Sequence, residues 1–499
     1  MNLSNYDYKT LCFSKTKKYM NIDNKNRLKR LGGMVIIGLA LTFSACNDFL
    51  TVVPKSELTA ESFWQTERDA NVGVIAIYNA FSGAMSSGVW DWGEIRGDNF
   101  TYYEKDAPDQ RELIENNILI DNPAALWTTL YDVIGKANAA IKYIPAIEMT
   151  PSLKNHYLAE AYALRAWAYF YGIRVWGDMP LYLEPIEEVN QGIYRPRTDK
   201  NNIIDNVIIP DLEKAYFFVN KSTVGRTRIN VGTVCVLLMD VYAWVGNYDL
   251  VARIKEERVN KLDNGPDDRI SNSWLYLMPG GTGFAQNWRS LFIESAAAIP
   301  KEVWFKVSYD RFGNGVNNGR SYFGTGSSKL TISSKLAGIY ETSDIRRAAQ
   351  WTGTTTLRFN RKFWPDGTAF SGSNAVVSEN DLVMYRYADV VLLYAEALNA
   401  LGRTQEAINE LNKTRVRAGN LAFSVSDFSS QDQILDAILV ERQKEFVGEG
   451  KRWFDLVRTK RWALHTTLTD ADKVVFPVHR DHLVQNPELT QNFPAYPYP

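Results

Sequence analysis

Two stretches of this chain read alike. Apolar residues recur at 231, 234, 238, 241 and 245, one face of a helix; Gly246-Asn247 breaks the run, and a second helical pattern follows over 250–259. Far downstream, Val390, Leu393, Ala397 and Leu401 form such a face, Gly402-Arg403 turns the chain, and Ala407, Ile408 and Leu411 open a second helix. Aligning Gly246 with Gly402 pairs the two units position by position. A hairpin of two helices cannot bury its apolar faces alone, so it commits the chain to stacking helix on helix. Helix, tight Gly turn, antiparallel helix is the unit of tetratricopeptide-like scaffolds, here without their fixed period. Periodicity by itself fits a repeat and an unrelated helical hairpin equally well.

Elsewhere, Thr59 with Ser62 is placed to cap a helix running through Ala70, Val74, Ile77, Tyr78 and Phe81, with Gly83 and Gly88 ending it. Residues 89–108 have little periodicity and read as a loop. Further helices are expected over 124–144, from a cap at Ser152 to Val175 (stopped by Gly177 and Pro180), and from about Asn202 through Ala215. Residues 263–384 differ, being rich in Gly, Asn, Ser and aromatics, with short β-prone pieces such as 302–307. Long loops inside a compact protein are functional or disordered, and the aromatics that punctuate these argue for order.

The N-terminus adds a separate constraint. Lys25, Arg27, Lys29 and Arg30 precede an apolar run over 34–43, then Ser44-Ala45-Cys46. Positive region, short apolar region and small residues at a cut are the order of a bacterial export signal. The run falls short of the roughly 20 residues a membrane-spanning helix needs. The segment resembles a lipobox, with Phe43 where Leu is usual. That resemblance implies that Cys46 receives lipid and becomes the mature N-terminus, and two or more acyl chains anchor a protein stably. Met20 would open a signal of ordinary length, so translation is expected to start there rather than at Met1.

Residues 1–45 hold eight of the 56 Lys/Arg and two of the 57 Asp/Glu, which leaves 48 basic and 55 acidic residues and a net charge of −7 on the rest. That balance argues against nucleic acid as a partner, which needs concentrated Lys and Arg. Of three cysteines, Cys12 leaves with the leader, Cys46 carries lipid, and Cys235 stands alone in an apolar helical stretch. No disulfide framework is possible within the chain, so stability must come from packing. Aromatic residues make up 13% of the chain, enough for a core with some left over for stacking on ligands.

Five segments carry a more specific signal: Cys46-Asn47-Asp48-Phe49-Leu50 with Pro54 and Leu58 to Trp64; ALRAWAYFYGIRVWGDMPL at 163–181; RYADVVLLYAEALNALG at 386–402; ERQKEFVGEGKRWFDLVR at 441–458; and Pro477-Val478 with NPELTQN at 486–492. In this order they resemble the SusD/RagB family of outer-membrane nutrient-uptake lipoproteins over nearly the whole mature chain. The very end, Phe493-Pro494-Ala495-Tyr496, departs from a more usual Gly-Tyr. The resemblance implies a mainly α, SusD-like fold, with tetratricopeptide-like helical hairpins packed against a loop-rich region with a few short strands. It implies a leader at 1–45, an N-terminal scaffold at 46–262, a loop-rich ligand-binding face at 263–384 and a helical C-terminal part at 385–499. It also implies non-catalytic capture of nutrients, usually glycans and sometimes peptides, as a lid over a SusC-like TonB-dependent barrel transporter. An acid just after the lipidated cysteine favours display on the extracellular side in relatives; here Asp48 is the one nearby acid.

Under that resemblance, ligand contacts come from the 89–103 segment and from the region before the later helices. Sugars offer apolar faces and a rim of hydroxyls, which aromatic platforms and Asp, Asn or Arg side chains respectively meet. Trp90, Trp92, Arg96, Asp98 and Asn99 are the first candidates, and packing of the two tryptophans on the scaffold fits the sequence equally well. Trp288, Phe312 and Tyr322 are the second set, chosen because Gly, Asn or Arg neighbours point to exposure, although for any one aromatic the core is favoured. Glu441, Glu445 and Glu449 recur every four residues, but glycoside hydrolysis needs two acids facing across a bond. With Arg442, Lys444, Lys451 and Arg452 close by, a salt-bridge lattice is the better reading. His479 and His482 lack an evident third ligand, and with four histidines in all no catalytic residue, metal or cofactor is expected. The expectation is a lipid-anchored outer-membrane protein that captures an oligosaccharide and delivers it to the barrel. The alternatives are peptide capture by the same route and surface glycoside hydrolysis.

Overall fold

Thr66 sets the start of the first long helix. Its side chain accepts from the Asp69 N–H while Asp69 accepts from the Thr66 N–H, a reciprocal capping box. The computed structural model describes residues 60–103, 107–188, 192–222, 225–264, 275–292, 301–309, 318–323, 329–353, 358–360, 362 and 380–496. Cys46, Thr59 and Phe312 lie outside them. Helix α1 runs Glu67–Gly93, straight through the glycines expected to end it. A Cβ at Gly88 would stand 2.5 Å from the Trp92 ring, so the missing side chain is what lets that ring fold back on the helix. Burial of this last turn outweighs the helix-propensity cost of Gly, about 1 kcal/mol.

Residues 124–144 do not form one helix: a 3₁₀ turn, Pro123–Ala125, precedes α2, Thr128–Tyr143. Helix α3, Pro151–Trp176, starts from Thr150 with proline at its first position, rather than from Ser152. From Tyr157 onward nearly every residue of α3 is buried, and its alanines let α1, α2 and α4 (Ile209–Phe218) pack closely on it. Gly177, at φ +76°, ends it.

The two hairpins are α5 (Val231–Trp244) with α6 (Tyr248–Arg253), and α7 (Tyr387–Ala400) with α8 (Thr404–Arg417). Gly246 and Gly402 turn them at φ +74° and +75°, a left-handed conformation in which glycine is unstrained. Asn247 N–H donates to the Tyr242 carbonyl and Gly246 N–H to Ala243; at the aligned positions Arg403 donates to Leu398 and Gly402 to Asn399. Helix α7 also packs on α5 and α6, so the hairpins stack on each other. Helices α9 (Gln431–Glu445) and α10 (Arg452–Arg458) complete this part.

Among the described residues the strands form four antiparallel pairs. β1 (Phe100–Tyr102) pairs with β3 (Leu330–Ile332), tying the segment after α1 to the loop-rich region; β2 (Val303–Val307) pairs with β4 (Leu382–Arg386). Met179–Pro180 pairs with Arg197–Thr198, and Trp351–Gly353 with Arg358–Asn360. Phe63–Pro499 form one compact unit.

The acidic triplet of α9 and its continuation is a salt-bridge lattice, but its main partners come from elsewhere in the chain. Glu441 pairs with Arg346 at 2.7 Å; Glu445 with Arg346 at 2.9 Å, with Arg386 at 2.6 Å and with Arg417; Glu449 with Arg386 at 3.0 Å and Lys362 at 2.5 Å. All are buried. Burial alone would raise the Glu445 carboxyl, but three guanidinium neighbours outweigh it and hold it well below the carboxylate range.

Candidate functional site

As far as Phe100 the 89–103 segment grips the chain rather than facing solvent, and only Tyr102 and Tyr103 at its end are exposed. Its first part is the last turn of α1, where Trp90 is fully buried and donates its indole N–H to the Gly448 carbonyl at 2.9 Å. Glu94 accepts the Gly448 and Gly450 N–H groups, both at 3.0 Å. Asn99 donates to Glu94 at 2.7 Å and accepts from Gln443 at 2.9 Å. Arg96, also fully buried, donates to Asn116 and to the Val474 and Lys473 carbonyls, and lies 4.1 Å over the Trp453 ring. Burial would raise the Asp98 carboxyl, but bonds from His465 at 3.1 Å and Arg452 at 2.8 Å hold it far below the usual range. Glu94, Gly448 and Gly450 were not singled out from sequence; the Gly-Glu-Gly at 448–450, inside a helical run, is the signal that marks them.

Trp92 and Tyr322 come together with groups from three other segments. They edge a cleft of about 390 Å³ whose polar lining includes Asp91, Gln110, Asn122 and Lys329. Tyr322 donates its hydroxyl to Asp91 Oδ1 at 2.7 Å, and Lys329 Nζ lies 5.6 Å over the Tyr322 ring. Burial pushes the Asp91 carboxyl up to about 7, against the Tyr322 hydrogen bond. The Trp92 indole N–H donates to the Ala124 carbonyl at 2.9 Å, leaving only 4% of the residue exposed. Asn122 donates to Glu112 at 2.8 Å and to the Asp109 carbonyl at 3.1 Å. The arrangement offers a small aromatic edge beside carboxylate, amide, hydroxyl and ammonium groups, a set of donors and acceptors for a polar ligand.

The neighbours of Trp288 point to exposure, but the residue is buried. Its ring is fully buried and lies 5.1 Å from Arg386, 5.6 Å from Arg417 and 5.3 Å from Lys362, walling one side of the ionic lattice. Tyr322 is likewise only 4% exposed. Small and polar neighbours in these loops mark places where chain segments approach each other as readily as places open to water. Among the described residues no His, Cys, Asp and Glu group is arranged to hold a metal ion. His479 accepts from the Asp481 N–H at 3.1 Å; His482 accepts from the Trp127 N–H at 3.2 Å and stacks on the Trp127 ring, and burial pulls its pKa down to about 4.

Stacked helical hairpins beside a loop-rich part make a scaffold that presents a polar cleft. The SusD family matches residues 214–467, and a family described as starch-binding and associating with the outer membrane matches residues 48–232. The chain belongs to the SusD family, and is a nutrient-binding, non-enzymatic protein associated with the outer membrane. SusD-like protein P38 of Formosa agariphila is 28% identical over 96% of this chain and 100% of its own length. A SusD-like protein of Bacteroides ovatus is 24% identical, covering 86% of this chain and 82% of its own. Of solved structures, NanU of B. fragilis matches at 21% identity and a TM-score of 0.73, over 88% of this chain and 99% of its own. A SusD homolog from Bacteroides thetaiotaomicron matches at 22% identity and a TM-score of 0.70, over 86% and 99%. These likenesses establish the fold as SusD-like.

Proposed function

We propose that this protein captures an oligosaccharide at the cell surface, held to the outer membrane by lipid on Cys46, and hands it to a SusC-like TonB-dependent barrel transporter. The cleft carries this reading: Trp92 and Tyr322 supply an aromatic edge for a sugar face, and Asp91, Gln110 and Lys329 surround it with groups that exchange hydrogen bonds with hydroxyls. Trp90, Arg96, Asp98 and Asn99 then act on the ligand indirectly, by fixing the segment that presents Trp92. A shallow polar site of this kind binds weakly to moderately, because flexible glycans lose conformational freedom on binding. The leader pattern ending at Cys46 and the family's outer-membrane association support the anchor and the route. Screening the purified protein against glycan and peptide libraries tests the ligand class. Retention of glycans with loss in Lys329→Ala supports the reading; retention of peptides alone refutes it.

A further inference from the structure

The cleft continues past its aromatic end. It shares Gly83, Ala84, Thr128 and Thr129 with a second opening of about 580 Å³, which runs on between α1 and α2 as far as Ala76 and Lys136. From Ala76 to Asp91 along α1 is roughly 22 Å at 1.5 Å per residue. On the α1 side this furrow is walled by Ala and Gly, with one amide, Asn79; on the α2 side it is walled by threonine hydroxyls and the Asp132–Lys136 ion pair. A small-residue wall facing a polar one matches the cross-section of a sugar chain, which has both apolar and hydroxyl-bearing surfaces.

We infer that the ligand is an extended, linear oligosaccharide that lies in the α1–α2 furrow, running from Trp92 and Tyr322 toward Lys136. The inference rests on the glycan reading above and adds length and direction to it. A mono- or disaccharide fills one end only, and a compact branched ligand does not extend along the open seam between two packed helices. Gly83 stands where the two openings meet. A Cβ there would meet no atom within 4 Å, so a larger side chain enters the furrow without disturbing the packing. Leucine also favours helix over glycine, so Gly83→Leu is expected to fold. Thr129→Tyr narrows the furrow from the opposite wall, at an exposed position.

The test is calorimetric titration with size-fractionated partial hydrolysates of a panel of plant, algal and host polysaccharides. Affinity should rise at least tenfold from the disaccharide to the hexasaccharide fraction of the bound glycan. Gly83→Leu and Thr129→Tyr, where the two openings meet, should abolish that gain; Asp132→Tyr, at an exposed position lining the second opening and not the cleft, should abolish it while leaving the disaccharide affinity within twofold. Equal affinity across the size series, or variants that hold long chains as wild type does, would overturn the furrow and leave the glycan reading standing. Failure of every fraction to bind would overturn both.

Discussion

The indole N–H of Trp90 ends on the carbonyl oxygen of Gly448, 2.9 Å away and 358 residues downstream. Both groups are buried, so the bond has no water to replace it. Trp90→Phe keeps most of the ring and removes the donor. It should cost about 1–3 kcal/mol of stability, read as a shift in denaturant midpoint with unchanged slope.

Close approach of backbones makes the same contact sensitive to single atoms. A Cβ at Gly93 would stand 2.1 Å from the Gly450 carbonyl oxygen. Gly93→Ala should therefore destabilise by about 2–3 kcal/mol, although alanine is the better helix former. A variant as stable as wild type in thermal melts would show that the two segments are not in contact.

These contacts explain what could and could not be read from the sequence. The hairpins were legible because a 3.6-residue periodicity and a turn glycine are local signals; Gly246 and Gly402 behave as their alignment requires. The β-prone stretch at 302–307 was legible for the same reason, and strand β2 covers most of it. The end of α1 was not, because the propensity cost of Gly83 and Gly88 is small beside the burial of the turns that follow. The 89–103 segment was ambiguous for a deeper reason: Trp92 lines the cleft, whereas Trp90, Arg96, Asp98 and Asn99 bond to the chain itself. Trp, Asp, Asn and Arg together describe a sugar site, but they equally describe a segment that satisfies distant backbone groups, here Gly448 and Gly450. Gln110, Asn122 and Lys329 carried no motif and meet only in the folded chain.

Lys460 occupies φ +59°, at the end of α10, where Gly402 and Gly419 serve other helices at φ +75° and +85°. Its N–H donates to Val457 and that of Arg461 to Leu456, so the helix-ending bonds are formed at the expense of a strained residue. The side chain is exposed. Lys460→Gly should raise stability by roughly 0.5–1 kcal/mol, measurable as a higher midpoint in chemical denaturation.

Asp91 predicts a pH dependence of definite sign. Burial raises its carboxyl to about 7 in the folded chain, from 3.8 when free. The folded state thus holds a proton that the unfolded state has lost between about pH 4 and 7, and stability falls as pH rises through that window. Asp91→Asn keeps an acceptor for the Tyr322 hydroxyl and cannot ionise. Relative to wild type it should gain roughly 2–4 kcal/mol between pH 4 and pH 8. Parallel wild-type and variant curves in urea titrations across that range would contradict the assignment.

The central claim is that the cleft at Trp92 and Tyr322 holds a glycan. Calorimetric titration of the full-length protein and of Gln110→Ala, with each polysaccharide of a broad panel, measures it most directly. Saturable binding of at least one glycan, weakened about tenfold or more by loss of the Gln110 amide, is the result expected. Binding of none, or binding that ignores the substitution, would place the ligand elsewhere or remove it from the class of sugars.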